Sequence, residues 1–309
     1  MSILQKPHAG TRRNTATGVS PGAGKPVRKS WGRRIFGNSQ RPGFLTYGIL
    51  LAVLGGSAYP LWWSAVVGSR SNETMGQDWP PLFPGGNFWI NVGQVFDTVQ
   101  FWRALGNSMI ISGTITFSVV MFSTLAGYAF AKLRFKGSSL LMVAVIATMA
   151  IPTQLGIIPL FMVMQKLGWT GEIGAVIVPS LVTAFGVFFM RQYLVDVIPD
   201  ELIESARMDG ATMIRTFWHV ALPAAKPAMA ILGLFTFMMA WTDFMWPLLV
   251  LGTSNPTLQT ALSQLQSARY VDYSVVLTGA VLATVPLLIL FVLAGKQLIS
   301  GIMQGAVKG

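Results

Sequence analysis

The acidic side chains are the first place to look for chemistry, and two groups of them stand out by type and spacing. Asp243 lies between Trp241 and Trp246 in the stretch WTDFMWPL at 241–248. A carboxylate that accepts from hydroxyls, beside indole faces that stack on a ring, is a combination suited to a sugar pathway. An acid inside an apolar run also costs about 2.5–3.5 kcal/mol at a helix centre by insertion scales, so it needs a partner or water. A structural acid tied to a neighbouring helix or gate fits the same residue equally well, and Gln154, between Pro152 and Pro159, has the same divided status. The second group is Glu204, Ser205, Ala206, Asp209, Gly210 and Ala211, in the charged stretch 196–226. Other chemistry is excluded by what the chain lacks. It has no cysteine, its two histidines, His8 and His219, make no metal motif, and the apolar runs hold no carboxylate pair or nucleophile with a base. Gly22 to Pro26 lacks the upstream Gly and the following Ser or Thr of a phosphate loop.

These residues sit in a chain built for lipid. Of its 309 residues 52% are hydrophobic and 11% charged, and the mean hydropathy is +0.57. A soluble core does not need that balance. A bilayer core needs about 20 apolar residues per helix, which places about six spans, near 44–67, 108–131, 139–164, 173–193, 227–251 and 275–298. Pro152, Pro159, Pro179, Pro247 and Pro286 fall within or at the ends of these spans and predict kinked helices. Ser123, Gly127 and Ala131 recur every four residues on the second span, a spacing for close helix packing.

Residues 1–42 are rich in Gly, Pro, Ser, Thr and basic side chains, and no acid precedes Glu73. Such a segment buries too little apolar surface to fold alone, so a disordered basic cytoplasmic tail is expected, followed by a membrane domain over 43–309. With the amino terminus cytoplasmic, only Arg70, Arg103, Lys166 and Arg269 of the 22 Lys and Arg residues fall outside. That asymmetry follows the positive-inside rule and returns both termini to the cytoplasm. Tyr59, Trp62, Trp63, Trp102, Trp169, Tyr270 and Tyr273 then form an aromatic belt at the outer interface. The net charge of +11 is thereby membrane topology, not a nucleic-acid patch.

The stretch 196–226 is too charged to enter lipid and too long for a hairpin. Pro199, Asp200 and Glu201 start a helix, because proline suits the first turn and acids suit the positive dipole end. Leu202, Ile203 and Ala206 make its apolar stripe, and Gly210 ends it as a left-handed cap. A second helix is expected from near Ala211, stopping before Pro223.

Glu204-Ser205-Ala206, Asp209-Gly210-Ala211 and, eight residues later, Val220-Ala221-Leu222-Pro223 resemble the EAA loop of ABC importer permeases. The stretches at 128–137, 151–161 and 241–248 and the ending GAVKG are similar to the MalG-type carbohydrate permeases, with Ser205 and Thr242 as departures. The resemblance implies an all-α integral membrane protein of six spans with the type I importer permease fold. It implies an ATPase-coupling role for Glu204, Ser205, Ala206, Asp209, Gly210, Ala211, Leu222 and Pro223, and a tail contact at Gly305, Ala306 and Lys308. Implied partners are a second, MalF-like permease, a MalK-like ATPase dimer that carries ATP and magnesium, and an extracytoplasmic binding protein. The implied cargo is a di- or oligosaccharide, with glycerol-phosphate carriers sharing the pattern, and the chain itself is non-catalytic and binds no cofactor. An ion-coupled secondary transporter is the rival, poorly supported by a single intramembrane acid.

Overall fold

The structure, a computed structural model, describes residues 37–38, 41–73, 82–267 and 271–306, with side chains up to 295. Most of the expected tail lies outside the described residues, as do Arg269, Tyr270 and Lys308. The chain divides into two compact units, one through Tyr59 and one from Pro60. In the first, β1 (Gly37–Asn38) pairs antiparallel with β2 (Arg41–Pro42), and helix α1 (Phe44–Gly68) begins. Every side chain from Phe44 to Trp62 is exposed. The helix is 25 residues long and predominantly apolar, and its uncovered stretch Phe44–Trp62 is what a bilayer covers.

The second unit holds the remaining helices: α2 (Phe88–Thr98), α3 (Phe101–Lys132), α4 (Ser138–Met149), α5 (Ile157–Lys166), α6 (Gly174–Ile177) and α7 (Ala184–Val197). They are followed by α8 (Asp200–Met208), α9 (Met213–Thr242), α10 (Met245–Leu251), α11 (Leu258–Gln264) and α12 (Tyr273–Ala306). Five helical stretches are long and apolar enough to span, and six if α4 and α5 count as one broken span. The break is sharp: α4 and α5 meet at 90°. Pro152 causes it, since it has no N–H to continue α4 and its backbone turns extended, at ψ 123°, before the short turn Thr153–Gly156.

The core forms where α3 crosses α7 and α9. Ile111, Ile115, Val119, Tyr128, Met190, Leu194, Phe217 and Leu232 are buried together. Gly127 is a point of close approach, because a Cβ there would stand 2.8 Å from both the Arg191 backbone nitrogen and Met190 Cβ. The Ser123, Gly127, Ala131 spacing thus does pack helices: Ser123 is buried against Gly186, and Ala131 lies on the core. A second cluster, with Val95, Phe101, Ala104, Trp241, Leu258 and Ala283, joins α2, α3, α9, α11 and α12.

Two expected boundaries are corrected. The fifth span is not 227–251 but Met213–Thr242, interrupted at Asp243 and Phe244 before α10. Nor does the helix after Ala211 stop before Pro223. It widens into a π turn at Phe217–Ala221, where the Leu222 N–H bonds to the Phe217 carbonyl, and then runs on through Pro223 and Pro227. The widened turn absorbs the donor that Pro223 lacks. Sequence reading also passed over α2, an amphipathic helix that buries Asn91, Val92 and Val95 and exposes Trp89 and Ile90.

Candidate functional site

The segment between α7 and α9 starts as its residues dictate. Pro199 is extended, with ψ 145°, and Asp200 and Glu201 occupy the first turn of α8 while Arg207 occupies the last. Both charges suit the helix dipole. Gly210 has φ +75°. The Gly210 N–H bonds to Arg207 O at 3.0 Å and the Ala211 N–H to Ala206 O at 2.9 Å, which is the paired pattern of a Schellman cap. Thr212 then caps the next helix by accepting from the Arg215 N–H at 3.3 Å.

Only one side chain anchors α8 to the core: Ile203 is buried, Ala206 half-buried and Leu202 exposed. Lys132, in the last turn of α3, supplies a polar tie through Nζ to Asp200 Oδ1 at 2.8 Å. That ammonium holds the Asp200 carboxyl below the usual carboxylate range. Behind the turn, the Tyr128 and Phe217 rings lie 5.6 Å apart, and an open depression is lined by Tyr128, Arg207, Gly210, Ala211, Thr212, Met213 and Thr216.

The outward side of this segment carries Glu204, Ser205, Asp209 and Gly210, all exposed. Beside them stand Met208 at 88% exposure, Ile214 at 71% and Met213 at 60%. These apolar side chains lie in a stretch that also carries Glu201, Glu204, Arg207, Asp209 and Arg215, a composition that does not enter the hydrocarbon core. Further along, Leu222 is half-buried against the core and Pro223 exposed.

The candidate pathway residues do not come together. Trp241 is buried in the second cluster, stacked on Phe237 at 5.6 Å, and its Nε1–H donates to the Ala283 carbonyl at 3.2 Å. Trp246 is buried in the first cluster and donates to the Ala175 carbonyl at 3.1 Å. Neither indole face is open to a ring. Asp243 stands in the break before α10, where the backbone N–H groups of Trp246, Met245 and Phe244 favour its carboxylate. It is therefore not a bare acid at a helix centre. Gln154 is exposed in the turn between α4 and α5. Gly305 and Ala306 lie in the last turn of α12, with side chains outside the described residues. Among the described residues no group of three or more His, Asp or Glu could hold a metal.

Two features escaped sequence reading. One is the Lys132–Asp200 pair, signalled only by a cation ending one helix and an acid starting another. The other lies at the opposite end of α3. There Arg103 Nη2 donates to Asn255 Oδ1 at 2.8 Å, Asn107 Nδ2 to the Pro256 carbonyl at 3.0 Å, and the Leu258 N–H to Ser108 Oγ at 2.8 Å. Asn255 also donates to the Gly171 carbonyl at 2.7 Å.

Comparison with known proteins adds the context for this geometry. Residues 101–302 match the family described as binding-protein-dependent transport system inner membrane component. The arabinooligosaccharides transport system permease protein AraQ of Halalkalibacterium halodurans is 36% identical over 68% of this chain and 75% of its own length. The lactose transport system permease protein LacG of Rhizobium radiobacter is 29% identical over 86% and 97%. The sn-glycerol-3-phosphate transport system permease protein UgpE of Yersinia pestis is 27% identical over 84% and 94%. Among solved structures, a chain of a bacterial ABC transporter involved in import of the acidic polysaccharide alginate matches with TM-score 0.70 and 25% identity. The match covers 82% of this chain and 96% of that one. The chain belongs to the binding-protein-dependent transport system inner membrane component family, as a non-catalytic, multi-pass ABC importer permease of the cytoplasmic membrane whose ATPase is a separate subunit.

Proposed function

We propose that this permease imports a di- or oligosaccharide and that the segment from Asp200 to Thr216 is its seat on the ATPase. The observation that carries the second part is the exposure of Met208, Met213 and Ile214 in a stretch too charged to enter the hydrocarbon core. Exposed apolar side chains rimmed by polar residues suit a protein partner. Glu204 is the polar key of that joint, and Ser205, Ala206, Asp209, Gly210, Ala211, Leu222 and Pro223 shape it. A charge-assisted contact broken at a buried interface costs about 2–5 kcal/mol. Gly305, Ala306 and Lys308 form a second contact with the ATPase, and Asp243 and Gln154 remain the pathway candidates. The other partners are a homologous MalF-like permease, a MalK-like ATPase dimer and an extracytoplasmic binding protein, with both termini cytoplasmic. The sugar assignment is supported by the oligosaccharide and lactose relatives.

Glu204→Ala tests the joint. In proteoliposomes holding the assembled transporter, the variant is expected to insert normally and to hydrolyse ATP without matching uptake. Normal uptake and normal hydrolysis would remove Glu204 from the role. Titration of sugars against the cognate binding protein tests the cargo, and tight binding of glycerol 3-phosphate alone would overturn the saccharide reading.

A further inference from the structure

We infer that Lys132 is a positioning residue that fastens the seat to α3, making α3 the rod through which motion of α8 reaches the loop around Asn255. This inference rests on the coupling role proposed for α8. The pair is built asymmetrically. The Lys132 side chain is 5% exposed, whereas Asp200 is 71% exposed, so the fixed partner belongs to the membrane helix and the reachable partner to the seat. Because the ammonium is covered, the carboxylate that pairs with it at 2.8 Å is kept near the end of α3. The tie also joins the carboxyl end of α3 to the amino end of α8, where each charge faces the favourable dipole pole.

The second observation is the character of α3 itself. It runs 32 residues, or roughly 48 Å at 1.5 Å per residue. Among the described spans it alone contains no proline: Pro60, Pro152, Pro159, Pro179, Pro223, Pro227 and Pro286 interrupt the others. Proline is the commonest origin of a kink, so α3 lacks the device that each of the other spans carries. Both its ends are fastened by side chains. Lys132 holds the Asp200 end, and Arg103, Asn107 and Ser108 hold the 255–258 loop. Displacement at one end is therefore delivered to the other, not dissipated at a hinge.

The test uses the complete transporter in proteoliposomes, comparing wild type with Asp200→Asn, Lys132→Met and the exchanged pair Lys132→Asp with Asp200→Lys. Solute imported per ATP hydrolysed is read together with retention of the ATPase subunits on purification. The single variants are expected to keep the ATPase bound while the ratio falls at least threefold. The exchanged pair is expected to recover part of it, its recovery limited by the reversed dipole fit. The chain lacks cysteine, so a spin label at Thr253→Cys reports the far loop directly. Its ATP-dependent change is expected to shrink in Asp200→Asn. Ratios and label responses equal to wild type in both single variants overturn the inference, even with the coupling role intact. If the wild-type chain retains no ATPase, the coupling role itself fails. Should Lys132→Met not assemble, Asp200→Asn and Lys132→Arg, which keeps the charge, decide the matter: loss in the first with retention in the second supports the tie, and retention in both refutes it.

Discussion

Gly127→Ala isolates the crossing on which the whole bundle depends. The added methyl would lie 2.8 Å from the Arg191 backbone nitrogen, 2.8 Å from Met190 Cβ and 2.9 Å from the Met190 carbonyl carbon, where ordinary contact begins at 3.4 Å. Two of these three are backbone atoms, so no side-chain rotation relieves them. Helices α3 and α7 must instead separate by about 0.6 Å, and a gap of that size forfeits roughly a quarter or more of the attraction at each contact it opens. Overpacking of this kind costs about 1–3 kcal/mol. Gly113 on the same helix is the control. A methyl there meets nothing within 4 Å, so Gly113→Ala gains helix propensity of up to about 1 kcal/mol with no steric charge against it. The assay is thermal unfolding of the purified protein in detergent, followed by the monodisperse fraction remaining after heating. Gly127→Ala is expected to melt several degrees lower and Gly113→Ala at or above wild type. A Gly127→Ala protein as heat-stable as wild type would refute the close-crossing argument.

Gly210→Ala is expected to cost about 1–2 kcal/mol at the α8 terminus, because its φ of +75° is left-handed while its surroundings are open. Hydrogen exchange at the Gly210 and Ala211 amides should speed up while overall stability holds, and unchanged exchange would argue against the cap. Trp241→Phe removes the bond to Ala283, worth about 1 kcal/mol, and leaves a gap in the second cluster. Heat stability should fall while sugar affinity of the assembled transporter is kept; a loss of affinity alone would restore the pathway role. The pH dependence of the tie follows from Asp200, whose carboxyl is lowered by Lys132 and, more weakly, by Arg134. A depressed folded pKa gives a contribution fully present above the ordinary carboxylate value and lost as pH falls through the lower folded value. The ATP-to-solute ratio should therefore be flat near neutrality and worsen only in acid, and Asp200→Asn should be insensitive over that range.

What could be read from the sequence was local. The Gly210 cap, the Pro199 start with its acidic first turn, and the Ser123, Gly127, Ala131 face each depend on residues within one or two turns, and the structure contains all three. The misplaced fifth span has the same origin in reverse. A ruler of about 20 apolar residues sees Pro223 as a stop, because the π turn that rescues it depends on packing of Phe217 and Ala221 into the core. Trp241, Asp243 and Trp246 looked like one site because they are close in sequence. Their indole bonds go instead to Ala283 and Ala175, which no local pattern announces. Lys132 and Asp200 lie 68 residues apart and likewise meet only through the fold.

The distribution of breaks in the membrane domain also has mechanical meaning. A permease must let some helices change shape while others keep their length, and the chain separates these duties by where it puts proline. The 90° break between α4 and α5 and the interruption at Asp243 lie in spans that contain proline or end beside it. Residues 150–156 at the first break are all exposed and contribute no buried side chain. Helix α3 is the opposite case: it carries buried residues along its length, is crossed closely by α7 and α9, and is tied at both ends. A load entering at Asp200 thus meets a proline-free member through Lys132, while the Met213–Thr216 end of the seat continues into α9, which carries proline. Introducing a proline at an exposed mid-helix site such as Phe117 would remove that distinction. Rigid transmission requires uptake to fail in such a variant even where the ATPase remains bound.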